Sequence, residues 1–493
     1  MGKRKHFRNR VGECSRICIL SFGYAFLISS FTLLGLNGCR KRDPATEGQT
    51  VIHHRLREKV QTLDPAEVGD TISHAVAGDL FECLYDYDYT VRPYKMVPLL
   101  AAAMPEISDD GTVYRIPIRQ DVYFHDNPCF PDGKGRALTA DDFVYAWKRI
   151  ANLKNRCKNW WIFDGRIVGL DAFRDYTADL TDDDVDYDRP VEGLYAEDDH
   201  TLVIRLTRPW PQLVLWLQYI ATAPMAREAV DYYGNRIGNN PVGTGAYRLV
   251  HWQRGSFVEA ERHPHYHQFA EAPDGSGLQR LPYIDRVFWR IIIEDQPRWL
   301  LFMRGELDIN SIPKDNFGQV IAFGTEMTED MRQRNIQLKT FDEPSTYWIG
   351  FNMSDDVVGG NPALRRAISY SIDRERFIEL FQNGRGRIAH GYIPPVMDGY
   401  DPAIAEVSAS RLELTLAREQ LQEAERLNGG PFGRLRLALG GTDTTYRQMG
   451  QFLQSGMAQI GLSVEIEMFD WPTYLERMRN GDHQMFFSGW MAD

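Results

Sequence analysis

The chain has 493 residues, with 68 acidic against 56 basic side chains and a net charge of −12 at pH 7, and this length predicts two to four domains with sizeable cores. An acidic body excludes a nucleic-acid partner and an electrostatic grip on anionic lipid. Six cysteines, of which Cys14 and Cys18 lie near the N-terminus, are too few for a disulfide scaffold.

Lys3, Arg4, Lys5, Arg8 and Arg10 precede an apolar run from Ile17 to Leu36, the charge-then-apolar order of an export signal. The run closes on Leu36-Asn37-Gly38-Cys39, where small residues ahead of a cysteine suit a peptidase that cuts before a lipid-bearing thiol. Residues 1–38 are thus predicted to be a lipoprotein signal peptide. Cys39 is then the lipidated mature N-terminus, anchored in the cell envelope, in the periplasm or on the outer face of the membrane. The other reading is an uncleaved membrane helix, since the run is about long enough to span a bilayer. The first 38 residues hold six basic residues and one acidic, so the rest carries −17. Of the cysteines left, Cys83, Cys129 and Cys157 allow one bridge that spacing cannot assign. Residues 39–50 are polar and aperiodic, as in a tether.

Strand and helix signals then alternate. Apolar-rich runs predict strands at 201–207, 246–252, 287–293, 347–351 and 462–468. Thr139 with Asp142 forms a capping box ahead of Phe143, Trp147 and Ile150 on one helical face. Asn361-Pro362 and Asp373 start two more helices. The pattern is α/β, without internal repeats.

Several segments, in order, resemble the extracellular solute-binding family 5, the peptide and nickel receptors of ABC importers. They are Thr62-Leu63-Asp64-Pro65, Asp79-Leu80-Phe81-Glu82-Cys83-Leu84, Leu138-Thr139-Ala140-Asp141-Asp142-Phe143 and Asn240-Pro241-Val242-Gly243-Thr244-Gly245-Ala246-Tyr247. Arg304-Gly305-Glu306-Leu307-Asp308, the Arg365–Glu375 region and Gly489-Trp490-Met491-Ala492-Asp493 complete the series. The resemblance implies a two-lobed periplasmic-binding-protein fold of class II with an extra small domain. Residues 51–93 and 200–344 would form lobe one, 94–199 the small domain and 345–493 lobe two. Family members continue beyond the position of Asp493, so lobe two is expected to be incomplete at its C-terminus. The implied function is that of a monomeric receptor, without a cofactor, that passes a short peptide to an ABC permease and ATPase.

By the resemblance, Asp493 receives the ligand's ammonium group and Trp490 and Trp471 supply apolar wall, although each has a plainer reading as a solvated terminus or core. Thr244, Gly245 and Ala246 lie on a turn whose small side chains let a backbone approach a ligand, or else serve only the turn. Tyr347 opens the strand after the presumed hinge and either lines the cleft or points into lobe two. His263, His265 and His267 alternate, but Pro264 interrupts the strand geometry a metal site would need. Asp182, Asp183, Asp184, Asp186 and Asp188 lack the glycine and bidentate glutamate of a calcium loop. No catalytic motif is present. The competing functions are a receptor for a nickel complex or sugar, a peptide sensor or chaperone, and a membrane-anchored hydrolase.

Overall fold

The computed structural model describes residues 48–491 apart from 89–90, 92–94, 156, 182–183, 341–342 and 398. Residues 1–47, which include the predicted signal peptide, Cys39 and most of the predicted tether, and residue Asp493 lie outside the described residues.

Three four-stranded sheets carry the fold. In the first, Val51–Leu56 runs parallel to Arg286–Ile291, which continues antiparallel through Phe257–Arg262 to Tyr247–Gln253. The second is wholly antiparallel, in the order Glu106–Ile107, Val113–Pro117, Thr201–Arg205, Leu194–Asp198. The third places Ser345–Phe351 antiparallel to Met485–Met491, followed by Leu435–Leu439 and Val464–Met468, both parallel to it.

The first two sheets share one core. Alternate residues of Val113–Pro117 and Thr201–Arg205 send Tyr114, Ile116, Leu202 and Ile204 inward against Phe143, Trp147 and Ile150. Fully burying side chains of this size contributes about 1.5–3 kcal/mol each. A second core, with Leu364, Ile368, Leu421, Leu437, Leu453, Met457 and Met485, fills the third sheet and its helices. The molecule thus has two lobes, each with its own interior, and a smaller third cluster gathers Trp299, Val320, Ile321 and Met331.

Local chemistry starts the helices where the sequence places them. Ala140–Ala151 begins with the Thr139 capping box, in which Asp142 accepts the Thr139 N–H at 2.9 Å. Asn361 accepts the Leu364 N–H at 3.0 Å to open Pro362–Tyr370, and Asp373 accepts the Arg376 N–H at 2.9 Å to open Arg374–Gln382. In the core shared by the first two sheets, Arg149 reaches from Ala140–Ala151 to Asp64 with two hydrogen bonds, at 3.2 and 2.7 Å. This pair, almost wholly buried, pins the 61–65 segment to the helix.

Candidate functional site

The three parallel strands of the third sheet end at a common edge. Leu435–Leu439 leads to Gly440 and Asp443, Val464–Met468 leads to Asp470 and Trp471, and Met485–Met491 carries Gly489 and Trp490 there. Ser345–Phe351 is antiparallel and begins at the same edge, because Ser345 pairs with Met491. Carboxyl ends of parallel strands present loops and helix N-termini, and this is where open α/β sheets hold ligands.

The first lobe meets this edge through Arg57, Glu58 and Lys59, which follow Val51–Leu56. Glu58 is buried within electrostatic reach of Asp443 and Asp470, while Lys59 stands 3.9 Å from Asp470. A second junction joins the helix Thr444–Ala458 to the start of Asp295–Met303. There the Thr444 N–H donates to Glu294 at 3.4 Å and the Thr445 hydroxyl to Asp295 at 3.2 Å. Burial pushes the Glu58 carboxyl above the ordinary carboxylate range, with Asp443 and Asp470 adding to it. Burial raises Asp443 as well, helped by Asp295 and Glu294. Cavities of about 460 and 760 Å³ lie elsewhere, beside Val464–Met468 and beside Asp198–Thr201, and none of these junction residues lines them.

Tyr347 and Trp490 are 51% and 63% exposed at the common edge. Tyr347 stacks on Phe487, with ring centroids 6.3 Å apart. Trp471 is the first residue of its helix and stacks on Tyr474 at 5.4 Å. Gly440 makes room for it, since a β-carbon there would stand 2.9 Å from the indole ring. The Trp471 indole N–H is buried without an acceptor among the described residues. Tyr446 adds a further aromatic wall, within electrostatic reach of Arg57, Tyr347 and Asp443.

The Thr244–Ala246 turn sits differently. Thr244 is 1% exposed, and the close approach that the glycines permit is to the end of helix Thr71–Leu80. A β-carbon on Gly245 would lie 2.5 Å from the Leu80 carbonyl carbon, and the Gly245 N–H donates to the Leu80 oxygen at 3.0 Å. His125 locks the turn from the other side: its Nδ1 accepts the Gly243 N–H at 3.3 Å and its Nε2 bonds the Gly245 oxygen at 2.9 Å. That pattern requires a neutral ring with its proton on Nε2. Burial, then His263, lowers the His125 pKa to about 3. His263 turns to the Tyr123 carbonyl at 3.2 Å and His267 to Glu82 at 3.0 Å, so these two rings do not converge. Among the described residues no group of three or more His, Cys, Asp or Glu is arranged to hold a metal ion.

Sequence reasoning did not single out Arg57, Glu58, Lys59, Glu294, Asp295, Asp443, Tyr446 or Asp470. The one available signal was an N-cap pattern, Asp443 and Asp470 each preceding a helix.

The model of bacterial extracellular solute-binding proteins, family 5 middle, matches residues 95–493. The chain is 26% identical over 446 residues to the glutathione-binding protein GsiB of Pectobacterium atrosepticum, spanning 87% of this chain and 72% of that one. The GsiB of Salmonella typhi is 26% identical over 474 residues, spanning 93% and 78%. Among solved structures, peptide-bound OppA of Listeria monocytogenes aligns with a TM-score of 0.71 at 20% identity, covering 90% of this chain and 81% of that one. The murein tripeptide binding protein MppA of Escherichia coli aligns with a TM-score of 0.71 at 22% identity, covering 90% and 80%. These likenesses give the two-lobed fold, and the family match, which takes in all of the second core and most of the first, gives the relationship: this chain belongs to the bacterial extracellular solute-binding proteins of family 5.

Proposed function

We propose that the chain is the substrate-binding component of an ABC importer, tethered through a lipid on Cys39, and that it holds a short peptide between its two lobes. The observation that carries this reading is the common edge, where strand ends with exposed Tyr347 and Trp490 face the Arg57–Lys59 segment across a seam. Strand edges offer backbone hydrogen bonds to a peptide whatever its sequence, and aromatic walls accept varied side chains. Asp493 would pair with the peptide's ammonium group, and Trp490, Trp471 and Tyr347 would form walls. The Thr244–Ala246 turn would support the first lobe from behind. A narrower second reading, glutathione as the tripeptide, is favoured by the names of the relatives at 26% identity.

Titration calorimetry of the purified chain with trialanine, reduced glutathione, a nickel chelate and maltose tests both readings. Binding of trialanine, with the peptide recovered intact, supports the general one. Binding of glutathione alone selects the narrower. Binding of maltose or nickel without either peptide, or turnover of the ligand, overturns both.

A further inference from the structure

We propose that closing the lobes takes up protons, because the seam brings Glu58, Glu294 and Asp295 of the first lobe against Asp443 and Asp470 of the second. The inference rests on the reading of this protein as a receptor whose lobes open and close.

Each of the two helices that start at the seam is met by carboxylates from both lobes. At Trp471–Asn480, Asp470 caps the helix by accepting the Thr473 N–H at 3.3 Å, and buried Glu58 of the other lobe lies within electrostatic reach of that carboxylate. At Thr444–Ala458, Asp443 caps by accepting the Tyr446 N–H at 2.9 Å, while Glu294 and Asp295 bond Thr444 and Thr445 from across the seam. A helix N-terminus carries only about half a positive charge, too little to neutralise two carboxylates.

The cations nearby are Arg55, Arg57, Lys59 and Arg298: Arg298 pairs with Asp295, Lys59 loosely with Asp470, Arg57 partly offsets the rise at Glu58, and Arg55 is engaged elsewhere. Arg55 donates to the Ile292 and Ile293 carbonyls at 2.8 and 3.1 Å. Arg298 holds Asp295 at 2.5 Å but also donates to the Ser311 carbonyl at 2.6 Å. Lys59 and Asp470 are both substantially exposed, so their pairing at 3.9 Å is loose. Glu58, by contrast, is 7% exposed and has water on almost no side.

Burial and neighbouring carboxylates raise Glu58 and Asp443 in this arrangement. Separating the lobes returns both groups to water and to ordinary values near pH 4. The closed form therefore binds more protons than the open one. Acidification favours closure as pH falls through the raised values, and the effect levels off below about pH 4, where both forms are protonated. Linkage limits the change in the closed-to-open ratio to about tenfold per pH unit for each proton taken up.

Small-angle neutron scattering of the ligand-free full chain in contrast-matched detergent tests this between pH 8 and pH 5, with circular dichroism to verify folding. The radius of gyration should fall with pH. Glu58→Gln keeps the side chain's size and Asp443→Asn keeps an acceptor for the Tyr446 amide, so each variant should be more closed than wild type at pH 8 and less sensitive to pH. A constant radius in the wild type, expansion on acidification, or an unchanged profile in both folded variants overturns the proposal. Because no ligand is present, a failure here is separate from a failure of trialanine or glutathione to bind.

Discussion

Tyr347 rests on Gly489, its register partner across the strand pair, so closely that a β-carbon on the glycine would stand 2.4 Å from a carbon of the tyrosine ring. The relationship fixes where the exposed face of Tyr347 stands at the common edge. Gly489→Ala should therefore displace the ring and cost about 1–3 kcal/mol, as overpacking does. In a Tyr347→Ala background the same change should be nearly neutral. Urea denaturation of the four proteins closes the cycle. An equal cost in both backgrounds would show that the ring does not occupy this position.

The His125 turn gives the first lobe an acid-sensitive joint. Burial lowers His125 to about 3, and His263 is lowered to about 4, again chiefly by burial. Both rings are near 6.5 in an unfolded chain, so the unfolded state binds more protons between those limits. Their contribution to stability is complete above about pH 6.5 and declines as pH falls toward the folded values, by up to about 1.4 kcal/mol per unit for each ring. Urea midpoints should drop between pH 7 and pH 5, and a folded His125→Gln variant should show a shallower decline. A steeper decline in that variant would contradict the assignment.

The Asp64–Arg149 pair should behave as a buried ion pair. Asp64→Ala leaves the guanidinium without its partner and is expected to cost about 3–5 kcal/mol. Asp64→Asn combined with Arg149→Met removes both charges and should cost less than Asp64→Ala alone, despite changing two side chains. If the double variant is the weaker protein by chemical denaturation, the pair contributes net stability beyond mutual compensation.

The helix starts were legible in the sequence because an N-cap is local chemistry. Thr139 with Asp142, Asn361 with Pro362, and Asp373 each lie within a few residues of the amides they serve. Strand runs were legible for a similar reason, since a buried strand must be apolar at successive positions. The seam was not. Glu58 and Asp470 are separated by most of the chain, and a carboxylate after a strand end has no pattern to mark it until the fold supplies its neighbours. The Gly243–Gly245 turn shows a different limit. Small residues signal that a backbone comes close, but the sequence does not say which backbone, and here it is that of Leu80.

Lipid attachment at Cys39 predicts that membrane-fraction protein begins at that residue with added acyl mass. Cys39→Ser should leave the precursor unprocessed. Mass spectrometry that finds an intact Met1 in the wild-type protein would remove the anchor from the proposed function.

The last expectation concerns the ligand's ammonium group. Met485–Met491 delivers Trp490 to the common edge, and Asp493 follows two residues beyond the strand. An ammonium group leaving water needs a charged partner, and a hydrogen bond between charged groups contributes about 1.5–3 kcal/mol. Asp493→Asn should therefore weaken trialanine binding roughly ten- to hundredfold, since about 1.4 kcal/mol is a factor of ten. N-acetyl-trialanine should bind the wild type about as weakly as trialanine binds the variant. In Asp493→Asn itself, free and acetylated peptides should differ little, because the partner that distinguished them is gone. Calorimetry of both peptides against both proteins reads the coupling directly. A wild type indifferent to acetylation would assign the ammonium elsewhere and leave Asp493 without a role in binding.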